Sequence, residues 1–223
     1  MLRSHLNGPL IWKFDLRTWQ LVVGVVLQLS MQLTGIDVIF YYSTLVLRQA
    51  TVTDPPLATV LLGGLNVVMM LVAVATMEQA PRRPVLLTSW GGLCVSHMLL
   101  ACSQIGIEVA SLDEGAMRVL SLLGMAGVVV CFALGPGCVA WYVVAEIFPM
   151  HARDAAFSLG LGLNWAANWL VAFAFPLVQR ALGPYTFLIF ACSSAGFGLF
   201  TWACVPETRK RSMTQVLAEF DQL

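Results

Sequence analysis

The chain has few charged residues and no surplus of either sign. Only 11% of its 223 residues are charged, whereas a soluble domain carries about 25% charged residues. Twelve basic residues balance twelve acidic ones, so there is no basic stripe of the kind that neutralises phosphates. The charge content therefore excludes a water-exposed surface over most of the chain, and we expect no nucleic-acid partner.

The chain also lacks the common motifs of covalent and metal chemistry. Its six cysteines include no CxxC pair, so neither a disulfide framework nor a metal site is indicated. The sequences GxSxG, HExxH and the phosphate-binding loop are absent as well. We therefore predict no enzyme activity, no catalytic residues, no metal and no cofactor.

Long apolar stretches are what the chain does contain. Hydrophobic residues make up 59% of it, and a bilayer core about 30 Å thick requires about twenty apolar residues in a helix that bonds its own backbone. We predict an all-α integral membrane protein, a bundle of six transmembrane helices embedded in a lipid bilayer. The predicted spans are 18–47, 57–77, 85–107, 117–148, 155–179 and 184–204.

The basic residues are distributed unevenly between the two ends of these spans. Nine of the twelve fall on one side, and the positive-inside rule assigns that side to the cytoplasm. We therefore expect a cytoplasmic N-terminal segment at 1–17, the bundle at 18–204 and a cytoplasmic tail at 205–223. The nine are Arg3, Lys13, Arg17, Arg82, Arg83, Arg153, Arg209, Lys210 and Arg211.

Polar residues interrupt the first predicted span. Gln28, Gln32 and Gly35 fall at helical spacing and lead to Asp37. A carboxylate at that depth is costly unless it faces the bundle interior or a water-filled cavity. Because glycine weakens a helix, we predict a break or bend near Gly35 of the kind found at transporter binding sites. The alternative is a polar patch that serves only helix packing.

The later spans carry a second set of unusual residues. Gly135-Pro136-Gly137 predicts a hinge inside the fourth span, since proline removes a backbone hydrogen bond. Trp141 offers a flat indole suited to a sugar ring, although a membrane-interface tryptophan is the competing interpretation. Asn66, and Asn164 with Asn168 one turn later, fit recognition of a neutral polyhydroxyl ligand or hydrogen bonding between helices.

Together these residues form an ordered series over nearly the whole chain. The series resembles the C-terminal half of a facilitative hexose transporter of the major facilitator superfamily. It comprises Gln32-Leu33-Thr34-Gly35-Ile36-Asp37, Phe40-Tyr41-Tyr42-Ser43, Asn66, Glu78 with Arg82-Arg83, Gly135-Pro136-Gly137 with Trp141, Ala145-Glu146-Ile147-Phe148, Arg153, Asn164-Trp165 with Asn168, Gly183-Pro184-Tyr185 and Pro206-Glu207-Thr208.

The resemblance implies roles for individual residues. The six helices would be the seventh to twelfth of a twelve-helix carrier. Gln32, Asp37, Asn66 and Trp141 would contact sugar, with Asn164 nearby. Gly35 with Tyr41 and Tyr42, and Gly135 with Pro136 and Gly137, would form the gate and the hinge. A cytoplasmic charge cluster would stabilise the outward-open state and contain Glu78, Arg82, Arg83, Glu146, Arg153 and Glu207.

The sequence departs from the family pattern at positions that matter for the ligand. The first of two adjacent glutamines is Met31, the sugar-contacting asparagine is Asp37, and a glutamate two residues before Gly135 is Ala133. Lost hydrogen-bonding groups and a gained carboxylate would weaken or alter glucose recognition. The resemblance therefore implies a sugar carrier whose particular sugar differs or is bound differently.

The leading interpretation is facilitative transport of a neutral hexose, glucose or fructose, by alternating access in the plasma membrane, with this chain as a fragment or truncated isoform of such a carrier. Because that mechanism moves one helical bundle against another, we expect a partner: an N-terminal six-helix half or a full-length carrier. One alternative is a truncated, non-transporting isoform that associates with full-length carriers and regulates them. Another is proton-coupled sugar symport, with Asp37 as the titrating group.

Overall fold

The structure is a computed structural model that describes residues 18–211 and 215–216. The predicted N-terminal segment 1–17 and the rest of the predicted tail, 212–214 and 217–223, lie outside the described residues. Within the described part the chain forms nine α-helices and one short 3-10 helix, Gly183–Tyr185. The α-helices are α1 (Thr18–Leu33), α2 (Ile36–Tyr41), α3 (Ser43–Gln49), α4 (Pro55–Met77), α5 (Arg82–Glu108), α6 (Glu114–Leu134), α7 (Pro136–Ile147), α8 (Met150–Leu182) and α9 (Thr186–Cys204).

These helices match the six predicted spans. α1 to α3 form the first span, α4 the second, α5 the third, α6 and α7 the fourth, α8 the fifth and α9 the sixth. By length and composition, five helical stretches of the described residues could cross a membrane, and the last of them runs over 55 residues, Met150–Cys204. The rings of Phe175 and Phe190 lie only 6.4 Å apart, whereas a straight helix would separate them by about 22 Å. The chain therefore reverses at Gly183–Tyr185, and the last stretch crosses twice.

α5 lies at the centre of the packing, with α6 on one side and α9 on the other. A methyl group on Gly124 of α6 would lie 3.1 Å from the Ser96 carbonyl oxygen of α5, so the two backbones approach as closely as small residues allow in membranes. Trp90 of α5 is buried and donates its indole N–H to Thr201 Oγ1 of α9 at 2.9 Å. α5 is thus held by close packing on one face and by a buried hydrogen bond on the other.

The other helices form two groups around this centre. α1 packs against α7 and α8, while α4 packs chiefly against α6 and α3. Much of α4 faces outward, since only 11% of an apolar 18-residue stretch of this helix is buried. Lipid or another helical bundle would cover such a surface in a membrane.

The first span breaks where the sequence predicts it. α1 ends at Leu33, and Gly35 adopts φ 77° and ψ 20° in the left-handed region before α2 begins. That conformation costs an L-residue about 1–2 kcal/mol but costs glycine little. A side chain at Gly35 would also meet the Phe190 ring, with a Cβ only 2.6 Å from it. Glycine is therefore required here for two independent reasons.

Three of the carbonyls that the break releases have hydrogen-bond partners. Thr34 Oγ1 donates to the Met31 carbonyl oxygen at 3.0 Å, and the Gly35 N–H donates to that of Gln32 at 2.9 Å. Ser193 Oγ of α9 donates to the Leu33 carbonyl oxygen at 2.9 Å. Because unpaired backbone groups in a membrane cost several kcal/mol each, these bonds allow the helix to end within the protein.

The fourth span breaks at the predicted Gly135-Pro136-Gly137 hinge sequence. Gly135 separates α6 from α7 with φ −108° and ψ −102°, and Pro136 begins α7. Proline has no N–H for the Phe132 carbonyl four residues earlier, so the helix cannot continue regularly through this point. Side chains of α5 and α6 surround the glycines, with the Phe132 ring 2.8 Å from a Cβ placed on Gly137. The break itself is confirmed, and motion about it stays a prediction.

We predict that Gly35→Ala destabilises the bundle by about 2–5 kcal/mol. The estimate combines a left-handed alanine, about 1–2 kcal/mol, with overpacking against Phe190, about 1–3 kcal/mol. Thermal unfolding of the protein in mild detergent, followed by intrinsic fluorescence, measures the loss. Gly63→Ala is the matched control, because nothing lies within 4 Å of its Cβ position in α4. An unfolding temperature of Gly35→Ala equal to that of the control would contradict the proposed constraint.

Candidate functional site

A chain of side-chain amides joins α1 to α8 inside the bundle. Gln32 Nε2 donates to Asn164 Oδ1 at 3.0 Å. Asn164 Nδ2 donates in turn to the Gln28 carbonyl oxygen at 3.0 Å. Asn164 is only 5% exposed, so both ends of its amide are used within the protein. The structure thus brings together two of the predicted sugar-contacting residues.

Asn168 extends this chain to Asp37. Its Nδ2 donates to Asp37 Oδ2, and also to Gln32 Oε1 at 3.4 Å. Since a carboxylate only accepts hydrogen bonds, the nitrogen of Asn168 must face it and the amide oxygen must face away. We call Gln32, Asp37, Asn164 and Asn168 the polar network. The spacing of four residues predicts Asn168 on the face of Asn164, with recognition of a polyhydroxyl ligand or hydrogen bonding between helices as its two possible roles, and the resemblance gives it no sugar contact.

The polar network lies deep in the membrane-spanning part of the bundle. Gln32 is fourteen residues beyond the start of α1, about 21 Å along the helix, and Asp37 belongs to the short helix after the break. Polar groups at this depth face the interior of a bundle or a water-filled cavity. Gln32, Asp37 and Asn168 are half-buried. The network therefore offers accessible polar atoms close to a flexible point of the backbone.

Trp141 of α7 packs on the face of α8 that carries the network, nearer to the start of α8. Its indole stacks on the Phe157 ring, with centroids 6.0 Å apart and planes 5° apart. Phe157 precedes Asn164 by seven residues, about 10 Å along α8. The Trp141 indole N–H has no hydrogen-bond partner among residues 18–211, and the side chain is half-buried. Trp141 therefore presents an apolar surface and a free donor.

Asn66, another predicted sugar-contacting residue, forms no hydrogen bond with the network. It is half-buried on α4, and its amide forms no hydrogen bond within the described part of the chain. α4 packs chiefly against α6 and α3, whereas α1, α2 and α8 carry the network. A ligand role for Asn66 stays a prediction.

The two predicted gate tyrosines have different surroundings. Tyr41 is 55% exposed at the end of α2. Tyr42 is held against α8, because its hydroxyl donates to the Ala172 carbonyl oxygen at 2.9 Å and its ring lies 4.9 Å from that of Phe175. Only Tyr41 is therefore free to move without breaking a contact seen here.

Arg82 is the centre of the charged groups at the end where α5 begins. It is 8% exposed and forms an ion pair with Glu146 Oε1 at 2.9 Å. The same guanidinium donates to the carbonyl oxygens of Met77 at 2.6 Å and Ala80 at 2.8 Å. One cation thus joins the end of α4, the start of α5 and the end of α7.

The segment after α9 returns to this cation. The Glu207 carboxylate accepts hydrogen bonds from the backbone N–H groups of Arg82 and Arg83, at 3.0 and 3.1 Å. A negative charge beside the first residues of α5 interacts favourably with the positive end of the helix dipole. The carboxylate also pairs two backbone N–H groups that have no partner within the helix. Thr208 Oγ1 donates to Glu146 Oε2. The predicted tail therefore begins with residues that bind the start of α5 and the end of α7.

Two members of the predicted charge cluster lie apart from it. Glu78 is exposed at the C-terminal cap of α4 and has no hydrogen bond or ion pair with any residue that the structure describes. Arg153 donates to the Phe148 carbonyl oxygen at 3.4 Å instead of to a carboxylate, because it follows the carbonyl end of α7 directly. The observed cluster thus gathers Arg82, Arg83, Glu146 and Glu207.

Metal chemistry has no visible basis in this part of the chain. No group of three or more His, Cys, Asp or Glu side chains able to hold a metal ion occurs among the described residues. The polar network contains one carboxylate and three amides, which are ordinary hydrogen-bonding partners of hydroxyl groups.

Comparison with known proteins gives a family for this arrangement. The family "Sugar (and other) transporter" matches residues 6–220. The human solute carrier family 2, facilitated glucose transporter member 4, is 40% identical over 200 residues, which cover 90% of this chain and 38% of that protein. Facilitated glucose transporter protein 1 of Caenorhabditis elegans is 36% identical over 209 residues, covering 92% and 40%.

Solved structures agree with these relatives. The inward-open xylose transporter XylE from E. coli has a TM-score of 0.78 at 25% identity, with 92% of this chain and 42% of that chain covered. The major facilitator superfamily proton:xylose symporter XylE, bound to 6-bromo-6-deoxy-D-glucose, has a TM-score of 0.75 at 26% identity, covering 90% and 42%. The chain thus spans about two fifths of the length of the proteins it matches.

We predict that Glu146→Ala destabilises the protein by about 2–4 kcal/mol, because it leaves the nearly buried Arg82 guanidinium without its counter-ion. Thermal unfolding in detergent measures the loss. Glu78→Ala removes an exposed glutamate at the same end of the bundle and serves as the control, with a change within about 0.5 kcal/mol. Equal stabilities of the two variants would contradict the assigned role of the ion pair.

Proposed function

Since this chain belongs to the sugar transporter family of the major facilitator superfamily, we propose that it binds a hexose and takes part in its facilitated diffusion across a membrane. The observation that carries the proposal is the polar network beside the helix break at Gly35. Burying polar side chains at that depth is costly, and the network leaves accessible hydrogen-bonding atoms on half-buried residues. Relatives that share 36–40% of the matched sequence are named facilitated glucose transporters.

The proposed ligand is a polyhydroxyl ring. Hydroxyl groups both donate and accept, so they suit the mixed amide and carboxylate atoms of Gln32, Asp37 and Asn168. The Trp141 indole would pack against the apolar C–H face of the ring, and its N–H would bind a hydroxyl. We extend the proposal to Asn66, which would join the site from α4 when the bundle closes around sugar. Transport of this kind involves no covalent step.

The proposed motion is alternating access. The broken helices at Gly35 and at Gly135-Pro136-Gly137 would act as the bending points, and Tyr41 would close the outer side. The cluster around Arg82 would hold the inner side together in the outward-open state.

We further propose that the bundle works with a second six-helix bundle, an N-terminal half or a full-length carrier. The outward-facing apolar surface of α4 supports this proposal, because only 11% of an apolar 18-residue stretch of this helix is buried within the bundle. Arg82, Arg83 and Arg153 begin helices at one end of the bundle, and by the positive-inside rule that end, with both termini, is cytoplasmic. Plasma membrane is the proposed location.

We predict that Gln32→Leu lowers hexose uptake about tenfold or more, because the ligand loses a hydrogen-bonding partner worth about 1–3 kcal/mol. The measurement is radiolabelled hexose uptake into liposomes that contain the chain, with and without an N-terminal half. Gln79→Leu is the matched control, since Gln79 is exposed between α4 and α5. Absence of uptake by the wild-type chain in both preparations would contradict transport by this polypeptide.

A regulatory role is the second candidate, and the same α4 surface favours it. A chain that only associates with carriers would co-purify with a full-length relative and alter its uptake without transporting sugar itself. A clean monomer in mild detergent that leaves the uptake of the relative unchanged would exclude it.

Proton-coupled symport is a third candidate, favoured by the single carboxylate of the polar network. We predict that Asp37→Asn then abolishes the dependence of uptake on external pH, because the asparagine cannot take up a proton. Uptake into liposomes over a range of external pH is the measurement. An unchanged pH profile in Asp37→Asn would exclude Asp37 as the coupling group.

A further inference from the structure

The carboxylate of the polar network has no positive partner. No Lys, Arg or His side chain among the described residues forms an ion pair with Asp37, and its one hydrogen bond comes from Asn168. The nearest cation in sequence, Arg48, is exposed in the last turn of α3. A lone carboxylate at membrane depth is costly. When Asp37 is ionised, the unliganded site therefore carries a negative charge that no described cation balances.

The free atoms of the network are mostly acceptors. The amide nitrogens of Gln32, Asn164 and Asn168 already donate within the network or to the backbone. Asp37 Oδ1 and Asn168 Oδ1 accept no hydrogen bond from any described residue, and both residues are half-buried. A ligand that approaches this side therefore meets two open acceptor oxygens.

A ligand with several donors and a positive charge complements these two features. An ammonium group carries three N–H donors and no acceptor, whereas a hydroxyl carries one donor. Hydrogen bonds between an ammonium and a carboxylate are about twice as strong as neutral ones. A neutral hexose can donate hydroxyl hydrogen bonds to both oxygens, but it brings no positive charge to an ionised Asp37.

We propose that this site selects a hexose bearing a protonated amine, an amino sugar, over the neutral hexose of the same shape. The inference rests on the proposed function and names the substrate class of that site. The ammonium would lie between Asp37 and Asn168, while the ring hydroxyls bind Gln32. Asp37 is then the residue that determines specificity.

The test is equilibrium binding to the whole chain in lipid nanodiscs, measured by calorimetry and by tryptophan fluorescence. The ligands are 2-amino-2-deoxy-D-glucose, its neutral N-acetyl derivative and D-glucose, at about pH 6. Amines next to electron-withdrawing groups, like the α-amino group, titrate at about 7.7–8.0, so the amino sugar is then cationic. We expect the amino sugar to bind about tenfold more tightly than D-glucose, and the N-acetyl derivative no better than D-glucose.

Variants assign the preference to one carboxylate. Asp37→Asn removes the charge at constant size and should bring the amino sugar to the affinity of D-glucose, while Asp37→Glu should keep the preference. Asp154→Asn makes the same change at an exposed position of α8 outside the network and should leave all affinities unchanged. Should Asp37→Asn fail to fold, the three ligands on the unmodified chain still decide.

The outcomes are distinguishable. Equal binding of the amino sugar and D-glucose overturns the inference and leaves the proposed function standing. A preference for the amino sugar that persists in Asp37→Asn also overturns it, because another group would then be responsible. A folded chain that binds none of the three sugars contradicts the proposed function itself.

Discussion

The requirement that every backbone polar group be paired inside a membrane governs where this chain can end a helix. Of the carbonyls that the break at Gly35 releases, three are paired, by Thr34 and Gly35 at the break and by Ser193 of α9. The same break opens the way to a short separate helix that carries Asp37. An irregular backbone is tolerated in a membrane only where it is enclosed by protein or borders a cavity. The helix break and the polar network therefore occur together, at the same place in the bundle.

α8 makes this feature specific. Its polar face carries Asn164 and Asn168 toward α1 and α2, while Trp165 and Trp169, on another face of the same helix, are exposed. Amide side chains hydrogen-bond at fixed distances, so they define the spacing of α1 and α8 more closely than apolar contacts do. The tie also limits motion, because any tilt of the broken first span must carry α8 with it or exchange these hydrogen bonds for hydrogen bonds to a ligand.

Most of the fold was predictable from local sequence, and the site only in part. Length and composition predicted six spans, and glycine and proline chemistry predicted both breaks, because each depends on a few neighbouring residues. Helical spacing also put Asn164 and Asn168 on one face. Local patterns could not show which helices contact one another. Asn66 lies on α4, which packs chiefly against α6 and α3. Glu78 and Arg153 lie at the same end of the bundle as Arg82, but neither joins the ion pair of Arg82 with Glu146. The bond between Asn168 and Asp37 depends on tertiary contact in the same way.

Arg82 and Asp37 are two ionisable side chains that the described part of this bundle holds away from open water, and their surroundings differ. Arg82 is matched by Glu146, by two backbone carbonyls and, through the helix start, by Glu207. Asp37 is matched by one amide. A fully matched cation has little left to offer a ligand, whereas an unmatched buried anion costs stability and retains its capacity to bind. Because that cost is tolerated only at the helix break, the imbalance itself marks where a partner of opposite charge would gain most from binding.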